Sequence, residues 1–145
     1  MANTYLIAWK NMMQGNIDLE GGSIQALLLE TGATFDETDE TVTEVLTRGG
    51  GELDAVTGYE RQTLAAPSVS IVGTIVKFSS AYVVFTDVDS SDTAIAMLIF
   101  YNTGSDATSI PICYCDGVDE VFESGNLKEF TYECPTDGWI NVDNS

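Results

Sequence analysis

A chain of 145 residues has the length of one domain and enough material to bury a hydrophobic core without help from metals or disulfides. Five Lys and Arg stand against 23 Asp and Glu, a net charge of −18, and there is no histidine. Such a surface repels phosphate backbones and anionic membranes, and the missing imidazole excludes Ser-His-Asp and Cys-His nucleophile systems and His-ligated zinc.

The chain is nevertheless not a disordered acidic tail, because 44% hydrophobic and 10% aromatic residues supply the burial such tails lack. Near the N-terminus the only apolar run is Tyr5 to Trp9, with no basic residue ahead of it, which does not match a secretory signal. The longest apolar run, Ala94 to Tyr101, is too short to span a bilayer as a helix. The expectation is a protein made in the cytoplasm, with no membrane, nucleic-acid or cofactor partner and no enzymatic activity.

The spacing of Leu6, Trp9 and Met13 predicts a helix over residues 3–14, with Asn3 or Thr4 as N-cap and Gly15 just past its end. After Gly21-Gly22, Ile24 to Leu29 reads as a strand apolar on both faces, and so central in its sheet. Residues 30–58 form an acidic, Gly-rich excursion with one weak helical stretch, Thr41 to Leu46; long excursions of this kind are commonly interaction loops. Gly49-Gly50-Gly51 has no following Lys and opens no helix, so it reads as flexible linker rather than a phosphate loop.

Residues 59–145 are the main β region. Tyr59 to Ala65, Ser68 to Val72, Thr74 to Ser79 and Tyr82 to Thr86 are rich in β-branched and aromatic residues, with Gly73 marking a bulge or tight reversal. Thr93 to Tyr101 and Ser109 to Asp116 follow across a turn-forming Asn102 to Asp106, and Leu127 to Glu133 and Gly138 to Val142 make a last pair. The fold class is therefore mainly β, a single domain over 1–145: an antiparallel β-sandwich or barrel of about eight strands with one short N-terminal helix.

Candidate chemistry is sparse. Asp87, Asp89 and Asp92 lie close together like the oxygen ligands of calcium loops but lack the EF-hand glycine and distal Glu, and 36–40 and 116–120 are weaker versions. Among 23 acidic residues no carboxylate pair stands out as the acid and base of a glycosidase. Cys113 and Cys115 share one strand face; together with Cys134 they read as buried free thiols before a disulfide or a thiolate metal site. The aromatics fall almost entirely on strands and read as core.

The order of short motifs carries a resemblance. A short helix, Gly15-Asn16-Ile17-Asp18-Leu19, Ile24-Gln25-Ala26-Leu27-Leu28-Leu29 and Gly58-Tyr59-Glu60-Arg61 are followed by the Ala94 to Tyr101 strand, Pro111 to Asp116, Phe130-Thr131-Tyr132 and Gly138-Trp139-Ile140. In this order they resemble small virion structural proteins of tailed bacteriophages. The resemblance implies a β-rich head-decoration (cement) protein that binds the major capsid protein on the outside of the head lattice as a dimer or trimer. A tail or receptor-binding component, or an acidic nucleic-acid mimic that inhibits a DNA-binding protein, are the alternatives. The helix face of Leu6, Trp9 and Met13 is the candidate attachment surface.

Overall fold

The computed structural model describes residues 2–55 and 57–145. Among them are eleven strands in antiparallel sheets and two short helices, stacked as a sandwich and not closed into a barrel. The main sheet runs β1 (Ala2–Thr4), β8 (Ile110–Cys115), β7 (Thr93–Tyr101), β2 (Ile24–Glu30), β3 (Gln62–Thr63), with β9 (Glu120–Val121) pairing the start of β7. A three-stranded sheet, β11 (Ile140–Asp143), β5 (Ile75–Ser79) and β4 (Ser68–Val72), and the pair β10 (Lys128–Tyr132) with β6 (Val83–Val88) complete the strands.

β2 and β7 are central, as their unbroken apolar runs predict, and Leu27 faces Leu98 across the ladder. Alternation sends their side chains to two separate cores. On one face Ala26, Leu28, Met97, Ile99, Cys113 and Cys115 pack with Phe78, Val83, Phe85 and Trp139 from the smaller sheets. On the other face Leu27, Leu29, Leu98, Phe100 and Tyr114 pack with Tyr5, Ala33, Val42 and Val45.

The cover of this second face corrects the reading of residues 30–58. The excursion is a third layer rather than a projecting loop, and it carries α2 (Val42–Thr47). Thr41 caps α2 by accepting the Glu44 N–H, while the Glu44 carboxylate accepts the Thr41 N–H, a reciprocal capping box. Gly49, Gly50 and Gly51 are packed rather than loose. All have positive φ, and a Cβ on Gly50 would lie 2.7 Å from the Glu30 carbonyl oxygen.

The N-terminal helix α1 is shorter than expected, Leu6–Met13. Asn3 and Thr4 belong to β1, because the open edge of β8 offers the backbone a ladder (Asn3 opposite Tyr114, Thr4 opposite Cys113) that outweighs local helix propensity. Its C-terminus does follow the sequence: the Gly15 N–H bonds to the Met12 carbonyl and the Asn16 N–H to the Asn11 carbonyl, with Gly15 at φ 75°. Gly73, at φ 62°, makes a two-residue reversal between β4 and β5. The last two strands are not partners of each other: β10 joins β6 and β11 joins β5, which lets Trp139 bury beneath Tyr132.

Candidate functional site

The apolar face of the β4–β5–β11 sheet runs past the edge of the core. Register places Val69, Phe78 and Ile140 in one row on that face and Ile71, Val76 and Val142 in the next. The first row leads into the core, where Phe78 and Ile140 are buried. The second is open, with Ile71 75% exposed and Val142 51%. Between this face and α1 lies a groove of about 140 Å³, walled by Trp9, Met12 and Leu19 on one side and Val69, Val76 and Val142 on the other.

The three candidate attachment residues separate here. Trp9 is half-buried and forms a wall of the groove, whereas Leu6 (53% exposed) and Met13 (83% exposed) stand on the outer side of α1, seven residues and hence two turns apart. Sequence spacing alone could not make this division, because which part of an apolar stripe is covered depends on β5 and β11, far along the chain. The same distance hides Ile71, Val76 and Val142 as surface residues. Their strands alternate correctly for burial, and only the length of the β4–β5 hairpin leaves them uncovered.

Charge is depleted around this surface. α1, β4, β5 and β11 together hold Lys10, Lys77 and Asp143, two cations and one anion, in a chain of five cations and 23 anions. Thr74 donates to Asp143 at 2.7 Å, which holds that carboxyl below the usual range, and Lys77 Nζ donates to the Thr136 carbonyl. One carboxylate does reach the sheet edge, where Glu20 Oε2 accepts the Val69 N–H at 3.1 Å.

The other sequence motifs are structural. Gly58-Tyr59-Glu60-Arg61 seals the edge of β2 where β3 ends: the Leu28 N–H donates to Tyr59 Oη, whose O–H donates to Glu52 Oε2 at 2.6 Å. Arg61 then bridges Glu52 (2.7 Å) and Asp106 (2.7 Å), with its guanidinium over the Phe100 ring. This ties the excursion to the β7–β8 turn. A polar hollow of about 380 Å³ beside α2 has its guanidinium, Arg48, committed to Asp39 and Asp36.

Near the proposed calcium loop, Asp89 accepts the Gly125 N–H and Ser90 donates to the Asp54 carbonyl while accepting the Asp92 N–H. Among the described residues no group of three or more Cys, Asp or Glu is arranged to hold a metal ion. The three cysteines are free thiols. Cys113 and Cys115 are buried with their sulfurs 3.9 Å apart, and burial, then the neighbouring Cys115, pushes the Cys113 thiol up. Cys134 is half-buried.

Compared with protein-family models, with curated proteins and with solved structures, the chain matches none.

Proposed function

We propose that this chain is a structural protein of a tailed-bacteriophage particle, a head-decoration (cement) protein that docks on the major capsid protein through the outer face of α1. The observation that carries the reading is the exposure of Leu6 and Met13 on a helix that holds no acidic residue, in a chain of net charge −18. Exposed apolar side chains on an otherwise charged surface gain free energy by being covered, and Lys10 between them adds a cation rather than an anion. The acidic remainder keeps the free subunit soluble and faces outward once the helix is docked.

In this role the protein needs no active site. It stabilises the shell by mass action, since whatever binds the assembled lattice and not its separated subunits favours assembly. The motif order given above ties this adhesive role to a virion. It is made in the host cytoplasm and resides on the head surface.

Immunogold labelling of purified particles tests the proposal. Gold distributed over the head is expected. Gold confined to the tail would overturn the decoration role in favour of a tail component, and label absent from particles but abundant in lysate would overturn the virion reading altogether.

A further inference from the structure

The outer edge of β4 has little of the usual protection of a free edge beyond Pro67 ahead of it and one carboxylate upon it. Its five residues, Ser68-Val69-Ser70-Ile71-Val72, include no charge and no proline, and among the described residues β4 pairs only with β5. The two-residue turn at Gly73 and Thr74 makes Val72 and Ile75 a bonded pair, so Ser70 and Ser68 also bond inward to β5. Val69 and Ile71 therefore direct their N–H and C=O groups outward. The Glu20 carboxylate on the Val69 N–H confirms that direction, and it is a side-chain stopper that a neighbouring strand can displace.

We propose that β4 pairs with β4 of a second copy of this chain, antiparallel about a two-fold axis at Ser70. Val69 then lies opposite Ile71 of the other copy and exchanges both backbone hydrogen bonds with it, and the reverse pair does the same. The two three-stranded sheets become one six-stranded sheet. Because the axis is perpendicular to the sheet, the apolar faces stay on the same side, and the exposed row Val142, Val76, Ile71 continues into Val69 and Phe78 of the second copy.

Charge selects a second copy over a basic partner. The elements that meet carry Lys10, Lys77 and Asp143, with the Glu20 carboxylate on the joining edge, so they offer little anionic field for a cationic protein, and most of the repulsion between two copies comes from carboxylates elsewhere. That repulsion acts at a distance and is screened by salt, with a Debye length of about 8 Å at physiological ionic strength. The edge of one five-residue strand makes a small interface against the ~800 Å² per partner of a standard one, so the association is weak and is sought at high protein concentration. High local concentration on a particle surface would favour it. The inference stands on the sheet edge rather than on the outer face of α1, and either can fail without the other.

Sedimentation velocity on the full chain, from about 10 µM to several hundred micromolar, reads the dimer directly. Expected is a monomer–dimer equilibrium that strengthens with added salt, is lost in Ile71→Lys with the thermal midpoint unchanged, and is strengthened several-fold in Glu20→Ala. Ser70→Cys, made with Cys134→Ser, should form a disulfide-linked dimer on oxidation, because the Ser70 pair across the axis is a non-hydrogen-bonded pair with Cα atoms about 4.5 Å apart. A chain monomeric at every concentration and salt, with no Ser70→Cys cross-link, would overturn the proposal. So would a dimer that ignores Ile71→Lys, or one that dissociates as salt is raised. Should Ile71→Lys unfold, the Glu20→Ala and cross-linking results decide.

Discussion

Tyr59 donates its hydroxyl proton to Glu52 at 2.6 Å while accepting the Leu28 N–H at 3.0 Å, so a half-buried phenol has both its hydrogen-bonding roles filled. Tyr5 is the opposite case: its ring is fully buried against Phe35, and its hydroxyl finds no partner among the described residues. Both phenols have pKa values raised chiefly by burial. The same substitution should therefore act with different sign at the two sites. Tyr59→Phe leaves the Leu28 N–H and Glu52 short of a partner and should cost about 1–2 kcal/mol in urea unfolding, whereas Tyr5→Phe should be neutral or stabilising. Equal losses at both sites would refute the argument.

Acid should weaken the molecule through Asp106. The two hydrogen bonds from Arg61 hold this carboxyl below its usual range. With the folded-state pKa depressed, the contribution to stability is fully present above the unfolded value of ~3.9 and disappears as pH falls through the lower folded value. Asp106→Asn should accordingly be less stable than wild type by a constant amount between about pH 5 and 7, with the gap closing below about pH 4. A gap that widens in acid would contradict the assignment.

Two glycines of positive φ offer a matched test of close packing. Gly58, at φ 80°, lies so near the Asp87 carbonyl that an added Cβ would sit 1.8 Å from its oxygen, while a Cβ on Gly15, at φ 75°, would meet nothing within 4 Å among the described residues. Gly15→Ala should cost only the left-handed backbone penalty, about 1 kcal/mol. Gly58→Ala must also push two chain segments apart and should cost at least 2 kcal/mol more in the same measurement.

The proposed attachment to a capsid should depend on the outer face of α1. Leu6→Ser with Met13→Ser removes two exposed apolar side chains that make little contact with the core, so the thermal midpoint should move by no more than about 2 °C. Binding of the doubly substituted chain to undecorated capsids, followed by co-sedimentation, should fall at least tenfold. Undiminished binding would place the capsid contact elsewhere.

Local signals were legible wherever one residue decides the backbone. Gly15 ends α1 and Gly73 turns β4 into β5 because φ is positive at both, and the weak helical stretch Thr41 to Leu46 does hold α2, its Thr41 to Glu44 capping spacing having gone unread. The central strands β2 and β7 were legible from apolar runs that fill two faces. Partner choice was not: Lys128 to Tyr132 and Ile140 to Val142 look like a hairpin in sequence, yet each pairs with a strand forty or more residues earlier. The excursion hid its role because Ala33, Val42, Val45 and Leu53 are spaced without a period among acidic residues. Half of the candidate surface went unseen for the same reason, since exposure of Ile71 and Val142 is set by what fails to cover them.

A sheet greasy on both faces has a cost in time as well as a gain in stability. Leu27 meets Leu98 only when most of the chain has been made, so β2 leaves the ribosome long before its ladder partner exists. During that wait Ala26-Leu27-Leu28-Leu29 is an unpaired, uncharged segment of the kind that nucleates aggregation. The next segment to emerge is the acidic excursion, with eight carboxylates between Glu30 and Asp54. Before it becomes the lid of the second core, that segment is a gatekeeper: its charge keeps neighbouring nascent chains apart until β7 arrives.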